Sequence, residues 1–140
     1  MYRDADDREW EIRVTVGTLE RCRDVAGYDP LRLANEGELH RIHLDPTLLA
    51  NIAWCSVSEE AGRRGVSRQQ FVDAVRGEAI ERLLDAWLRA FSDFFPPRRA
   101  GWIRRTSESI AARIEEQMHP IESGDASTSS PASSASILSI

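Results

Sequence analysis

Two histidines and an aspartate have a spacing that resembles a metal site. His40 and His43 are three positions apart, and Asp45 follows closely. A zinc ion needs three or four side chains that converge on one point. On an extended strand the two histidines would point to opposite faces, and a third ligand would have to come from His119 or a distant cysteine. We therefore expect no bound metal and no cofactor.

Nucleophilic and acid-base catalysis also lack a matching pattern. Ser56 and Ser58 lie in a predicted helix without the Gly-x-Ser-x-Gly turn that exposes a catalytic serine. The sequence contains no glycine-rich phosphate loop. Paired carboxylates such as Glu59 and Glu60 are adjacent on a helix surface, where water solvates both. The sequence therefore predicts a protein that is not an enzyme.

The cysteines and the hydropathy pattern indicate where the protein works. Cys22 and Cys55 have no Cys-x-x-Cys spacing, and we interpret them as reduced thiols buried in helices. No apolar run approaches the roughly 20 residues that span a bilayer, and the N-terminal residues are acidic rather than those of an export signal. We expect a cytoplasmic protein that is not bound to a membrane.

Charge limits the class of partner. The chain has 18 basic residues, all of them arginine, and 23 acidic residues, so its net charge is −5. This balance argues against nucleic acid or an anionic membrane as the main partner. Three pairs of adjacent arginines could form a basic stripe, although we expect them mostly to meet carboxylates such as Asp93 and Glu108. The pairs are Arg63 with Arg64, Arg98 with Arg99, and Arg104 with Arg105.

The N-terminal third is predicted to contain the only strands. Residues 1–9 are acidic with little apolar content, and we expect them to be flexible. From Trp10 to Val16, large apolar residues alternate with polar ones, which predicts a half-buried strand. Residues 38–44 could form a second short strand that pairs with the first as a two-stranded hairpin. A short helix, with Cys22 on its apolar side, is predicted between Thr18 and Gly27.

The remaining elements are predicted to be helices with clear start and stop signals. Asp29-Pro30 and Asp45-Pro46 each read as an N-cap followed by proline, opening helices over residues 31–35 and 47–64. Gly65 ends the second of these, and Ser67 with Gln70 forms a capping box for the next. An amphipathic helix follows from Gly77 to Pro96, and a last helix runs from Gly101 to His119.

These elements predict a mainly α fold: a small helical domain with a short N-terminal strand element and a disordered C-terminal tail. The domain covers residues 10–119. Residues 120–140 are rich in serine and bury too little apolar surface to offset their ordering entropy, so we expect a disordered tail there.

A helix-turn-helix is the alternative to a protein-binding function. Residues 61–77 place Ala61 where two helices approach, Gly65 in the turn, and Ser67 at the start of a recognition helix. The side chains facing a DNA groove would be those of Arg68, Gln69 and Asp73. Arg63 stands where such motifs usually bury an aliphatic side chain, and the acidic net charge is unfavourable because phosphate contacts supply most of the affinity for DNA.

Four segments of the chain resemble the small tail assembly chaperones of long-tailed bacteriophages and related prophages. They are the strand W-E-I-R-V-T-V with its following helix, the helix start L-D-P-T-L-L-A-N-I-A-W, the run G-V-S-R-Q-Q-F-V-D-A-V-R-G, and the helix end F-S-D-F-F-P. The resemblance covers residues 10–97 and consists of helix starts and packing residues rather than a catalytic signature.

The resemblance implies a largely helical protein that coats the long hydrophobic tape measure protein in the host bacterial cytoplasm until tail tube subunits replace it. Tail tube protein and further copies of this chain are additional candidate partners. Such a protein needs apolar ridges with charged rims. We expect the contact at six apolar residues of the C-terminal half, unless these simply close the core. They are Phe94, Phe95, Trp102, Ile103, Ile110 and Ile114.

Overall fold

A computed structural model describes residues 1–123 of the chain and confirms the mainly α fold with a small N-terminal strand element. Over these residues the chain forms two short strands and six α-helices. The strands are β1 (Tyr2–Arg3) and β2 (Glu9–Trp10); the helices are α1 (Val16–Arg21), α2 (Glu36–Leu44), α3 (Pro46–Arg64), α4 (Arg68–Asp73), α5 (Glu78–Asp93) and α6 (Pro97–Ser123). A π-helical turn (Cys22–Ala26) and a 3-10 helix (Pro30–Ala34) lie between α1 and α2.

The N-terminal residues are ordered by a hairpin, so the prediction of a flexible lead-in over residues 1–9 is wrong. Strand β1 pairs antiparallel with β2, and Tyr2 lies opposite Trp10. Both aromatic side chains are fully buried. The polar composition of residues 1–9 did not indicate this order. A single buried ring, that of Tyr2, is enough to fix the segment when the rest of the chain forms a pocket for it.

The predicted strand from Trp10 to Val16 forms only at its first residue. Trp10 belongs to β2, residues 11–15 are irregular, and Val16 begins α1. The alternation is nevertheless seen in the burial of Trp10 and Val14, between which Glu11 and Arg13 are exposed. The pattern predicted an extended chain correctly, but a strand also needs a partner, and within residues 1–123 the partner reaches only as far as Trp10.

The predicted second strand over residues 38–44 is wrong, because this segment is helix α2. Asn35 caps the helix, and its side-chain oxygen accepts hydrogen bonds from the backbone N–H groups of Gly37 at 2.8 Å and Glu38 at 3.3 Å. Leu39 and Ile42, three positions apart, are its buried residues. The hairpin partner of Trp10 is therefore the segment around Tyr2. The period-two pattern of residues 38–44 arises by chance from their composition.

The helix starts predicted at Asp29, Asp45 and Ser67 are confirmed, whereas α1 begins at Val16 rather than Thr18 and α6 begins at Pro97 rather than Gly101. The carboxylate of Asp29 accepts from the Leu31 N–H at 3.0 Å, and that of Asp45 accepts from the Leu48 N–H at 3.0 Å. Ser67 and Gln70 form the reciprocal capping box of α4. These local rules hold because a cap requires only neighbouring residues.

Gly65 and Gly62 offer a matched test of the end of α3. Gly65 has φ +73°, and Gly62 lies inside the helix; a Cβ added at either would meet no atom within 4 Å. Because only the first is left-handed, we expect Gly65→Ala to lower the free energy of unfolding by about 1 kcal/mol, whereas Gly62→Ala should raise it by about 0.5 to 1 kcal/mol. Urea denaturation measures both. Equal effects of the two substitutions would contradict the left-handed ending.

Residues Met1–Ser107 form one compact unit, and a second unit begins at Glu108. The sequence predicts one domain over residues 10–119, and the boundary between the two units falls within this range. In the first unit α3 packs against α4 and α5, and β1 packs against α5. Helix α6 continues to Ser123, beyond the predicted end at His119, so residues 120–123 belong to it rather than to the tail. The rest of the predicted disordered tail lies outside the described residues.

Candidate partner-binding surface

The corner between α5 and α6 places two aromatic side chains at the end of a helix. After Asp93 the chain tightens, and the N–H groups of Phe94 and Phe95 donate to the carbonyls of Phe91 at 3.2 Å and Ser92 at 3.1 Å. Pro96 and Pro97 follow, and α6 begins at the second of them. Proline cannot continue the preceding helix but suits the first turn of the next. The corner is therefore set by local sequence.

A row of rings leads from the core to this corner. Trp87 and Phe91 are fully buried and stack with their centroids 6.2 Å apart. The ring of Phe95 meets Phe91 edge-on at 5.0 Å and Phe94 at 5.2 Å. Phe94 and Phe95 remain partly exposed. A rigid buried base thus holds two rings at the surface, with little side-chain entropy left to lose on binding.

The six predicted contact residues divide into two groups. Four are partly exposed: Phe94, Phe95, Trp102 and Ile114. Ile103 and Ile110 are completely buried within the chain and cannot contact a partner, so their assignment to the surface is wrong. They share the buried stripe of α6 with Ala100 and Ser107, at spacings of three and four residues, whereas Trp102 stands beside that stripe. We call Phe94, Phe95 and Trp102 the aromatic corner.

Four arginines lie next to the aromatic corner in the first turns of α6. Arg98, Arg99, Arg104 and Arg105 are exposed, and within the described residues none of them forms an ion pair. The guanidinium of Arg99 lies over the ring of Phe95. The signal was present in the sequence, because residues 94–107 contain no aspartate or glutamate.

The Arg99 guanidinium carbon is thus 5.5 Å from the centroid of the Phe95 ring, which is within the range of a cation–π contact.

The predicted DNA-facing residues lie on α4, and they are engaged within the chain. The guanidinium of Arg68 donates to the side-chain oxygen of Asn51 on α3. The side-chain amide of Gln69 donates to the Asp73 carboxylate at 2.8 Å. Helix α4 spans only six residues, Arg68–Asp73, and is short for a recognition helix. Ala61 is buried, and Gly65 ends α3 with a left-handed backbone conformation.

A groove of about 390 Å³ lies between the first turns of α3, helix α4 and the start of α5. Its apolar lining includes Ala50, Val72 and Ile80, and it also contains Arg68 and Arg76. Arg76 forms an ion pair with Asp6 at 2.9 Å. Because both arginines of this groove already have partners, the groove offers a weaker recognition site than the aromatic corner.

His40 and His43 lie on α2 rather than on a strand. The ring Nε2 of His43 is 2.9 Å from the hydroxyl of Ser107. Burial, and next the charge of His40, lowers the pKa of His43 from its usual value. Among the described residues, no three histidine, cysteine, aspartate or glutamate side chains are arranged to hold a metal ion.

The two cysteines are neighbours in space, which their separation in sequence did not reveal. Both are buried and free. The thiol of Cys22 donates to the carbonyl of Ile52 at 3.6 Å, and that of Cys55 donates to the carbonyl of Asn51 at 3.5 Å. The interaction with the neighbouring Cys55 thiol, followed by burial, raises the pKa of the Cys22 thiol. The interaction with Cys22 lowers the pKa of the Cys55 thiol. Both act as small core residues.

Comparisons with protein-family models, curated proteins and solved structures found no match to this chain. No helix within residues 1–123 is long and apolar enough to cross a membrane. The function is therefore inferred from the aromatic corner and from the resemblance of the sequence segments.

Proposed function

We propose that this chain is a tail assembly chaperone of a long-tailed bacteriophage or prophage, which binds the tape measure protein without catalysing a reaction. It acts in the host bacterial cytoplasm. Tail tube protein competes for the same contact, and further copies of the chain extend it. The observation that carries the proposal is the aromatic corner, where Phe94, Phe95 and Trp102 are partly exposed. Aromatic side chains on a rigid base are typical anchors of protein interfaces.

The size of this apolar surface suits a reversible contact. Only three rings are partly exposed at the corner, and the adjacent residues Pro96 and Arg98 are exposed. A chaperone must release its partner when tail subunits arrive, so a small anchor with a polar rim is more suitable than a large apolar face. The charged residues around it also keep the free chain from associating unspecifically.

A double substitution at the aromatic corner tests the proposal. We expect Phe94→Ser with Trp102→Ser to weaken binding to tape measure fragments by about tenfold or more, because both interfacial anchors are lost. Binding is measured by co-purification and by fluorescence anisotropy, with overlapping fragments of the tape measure protein from the genome that encodes this chain. Circular dichroism of the variant should still show a folded helical protein, because both rings are partly exposed.

Val25 and Leu44 provide a matched control, because they are apolar residues with 67% and 58% exposure elsewhere on the chain. The double variant Val25→Ser with Leu44→Ser should bind the fragments like the wild type. If the wild type binds no fragment, the proposed function is wrong. If the Phe94 and Trp102 variant unfolds, those rings belong to the core and the contact surface is misplaced.

A DNA-binding regulator remains the second candidate from the sequence, and duplex DNA distinguishes it from a chaperone. A regulator should bind random duplex DNA with an affinity that falls steeply as salt increases, because phosphate contacts release counterions. We expect no such binding, since Arg68 and Gln69 already have partners within the chain. Salt-dependent DNA binding that is lost on Arg68→Ala would favour the regulator.

A further inference from the structure

Arginines in the first compact unit differ sharply in whether they meet a carboxylate. Most of them form ion pairs with aspartate or glutamate. The paired ones are Arg3, Arg8, Arg13, Arg21, Arg23, Arg41, Arg64, Arg76, Arg82 and Arg89. The other arginines of this unit form no ion pair with any described residue, although the chain has more acidic than basic residues. Arg32, Arg63 and Arg68 lie in earlier elements, whereas Arg98, Arg99, Arg104 and Arg105 lie together at the start of α6. We call Arg98, Arg99 and Arg105 the basic rim.

The basic rim surrounds the aromatic corner. Arg98 precedes Trp102 by four positions and Arg105 follows it by three, so both share its helix face. Arg99 reaches the corner through its contact with the Phe95 ring. Residues 94–107 also include Arg104 and contain no acidic residue, while the whole chain has a net charge of −5. Positive charge is therefore concentrated at the apolar surface.

The position of the rim on the helix makes this concentration unfavourable in the free chain. Helix α6 begins at Pro97 and has no acidic residue in its first turn. Arg98 and Arg99 occupy that turn, where the positive end of the helix dipole disfavours a positive charge. An anionic group at the corner would relieve this repulsion and would pair with guanidinium groups that form no ion pair with a described residue. Charge complementarity thus indicates an acidic partner surface.

We propose that the aromatic corner and basic rim together recognise an amphipathic helical segment whose apolar stripe is flanked by aspartate or glutamate. This inference rests on the proposed function and specifies the chemistry of the segment that is bound. Arg98 and Arg105 are separated by seven positions, which is about 10.5 Å along a helix. Carboxylates one heptad apart on the partner match this separation. The three rings contact the apolar stripe, and the rim pairs with its acidic border.

The test uses three synthetic peptides that share one pattern of leucines at helical spacing. The flanking positions are glutamate in the first, glutamine in the second and lysine in the third. We expect the full chain to bind the glutamate peptide about tenfold more tightly than the glutamine peptide, and to bind the lysine peptide least. The preference should weaken as salt increases, because exposed charges are screened. Fluorescence anisotropy of labelled peptides measures all three affinities.

Substitution of the rim provides the decisive comparison. Arg98→Gln with Arg105→Gln should remove the preference for the glutamate peptide and leave the affinity for the glutamine peptide nearly unchanged. The control is Arg13→Gln with Arg63→Gln, which removes the same charge from exposed positions elsewhere and should keep the preference. Circular dichroism confirms that each variant is folded.

Two outcomes would overturn the inference. Equal affinity of the wild type for the glutamate and glutamine peptides would show that the rim does not recognise acidic residues. Binding of a single-stranded thymidine oligonucleotide that requires Arg98 and Arg105, without binding of the glutamate peptide, would assign the rim to nucleic acid instead.

The inference and the proposed function can fail separately. If tape measure fragments bind through Phe94 and Trp102 and are indifferent to Arg98 and Arg105, the charge recognition is wrong and the chaperone function stands. If the glutamate peptide binds with the expected preference while no tape measure fragment binds, the surface is correct and the proposed partner is wrong.

Discussion

Phe71→Ala should lower the free energy of unfolding by about 4 kcal/mol, the largest effect expected of any single substitution in this chain. The Phe71 side chain is fully buried on α4. Its ring meets those of Tyr2 at 6.3 Å, Trp10 at 5.5 Å and Trp54 at 5.7 Å. Truncation removes these contacts and leaves a cavity beneath the N-terminal hairpin, so it combines a lost transfer free energy with a cavity cost. Urea denaturation followed by tryptophan fluorescence measures the change.

Two further variants serve as controls for Phe71→Ala. Phe71→Leu keeps most of the volume and should cost no more than about 1.5 kcal/mol. Leu44→Ala changes a side chain that is 58% exposed and should stay within about 0.5 kcal/mol of the wild type. A loss below about 1 kcal/mol for Phe71→Ala would mean that the hairpin is not packed on α4.

Asp4→Ala should lower the free energy of unfolding by about 3 kcal/mol, because a buried carboxylate with four donors would be removed. Asp4 is only 1% exposed. It accepts from the backbone N–H groups of Asp6 and Arg8 at 2.9 Å each, from the Arg8 Nε at 3.0 Å and from the Trp10 indole at 3.0 Å. The substitution leaves these donors unpaired, including the indole N–H of the fully buried Trp10. Asp24→Ala, at an exposed position, is the control and should have little effect.

The contribution of Asp4 should also depend on pH. Burial acts to raise the pKa of this carboxyl, but hydrogen bonds from the Trp10 indole and from the backbone and side chain of Arg8 outweigh it and lower the pKa. A lowered folded-state pKa stabilises the protein fully above about pH 4, the ordinary value of an aspartate, and this contribution is lost as the pH falls below it. The difference in stability between wild type and Asp4→Ala should therefore shrink below that pH. A difference that stays constant down to pH 2 would contradict the assignment.

Local rules predicted the helix boundaries well, because they depend on residues that are close in sequence. The caps at Asp29, Asp45 and Ser67 and the end at Gly65 are all confirmed. The strand predictions failed where pairing was needed. Apolar and polar residues alternate only weakly over residues 38–44, and Asn35 caps this segment, so it forms a helix. Residues 1–9 were judged by composition, which cannot reveal that Tyr2 finds a pocket formed by distant helices.

The candidate surface was predicted in part for the same reason. The sequence placed Phe94, Phe95 and Trp102 near one helix corner, and these remain partly exposed. It could not separate them from Ile103 and Ile110, because all five are apolar and only packing decides which of them is covered. In the same way, the sequence could not show whether Arg98 and Arg105 meet a carboxylate on a neighbouring helix.

The sequence by itself therefore determined the mainly α fold, the caps at Asp29, Asp45 and Ser67, and the concentration of rings and arginines after α5. These follow from caps, prolines and helical periodicity, all of which act over a few residues. Only the tertiary structure decided that the N-terminal residues form a buried hairpin around Asp4, that Cys22 lies beside Cys55, and which side chains of α6 reach the surface. Such contacts join residues far apart in the chain, and their free energy depends on the complementary shape of the packed elements.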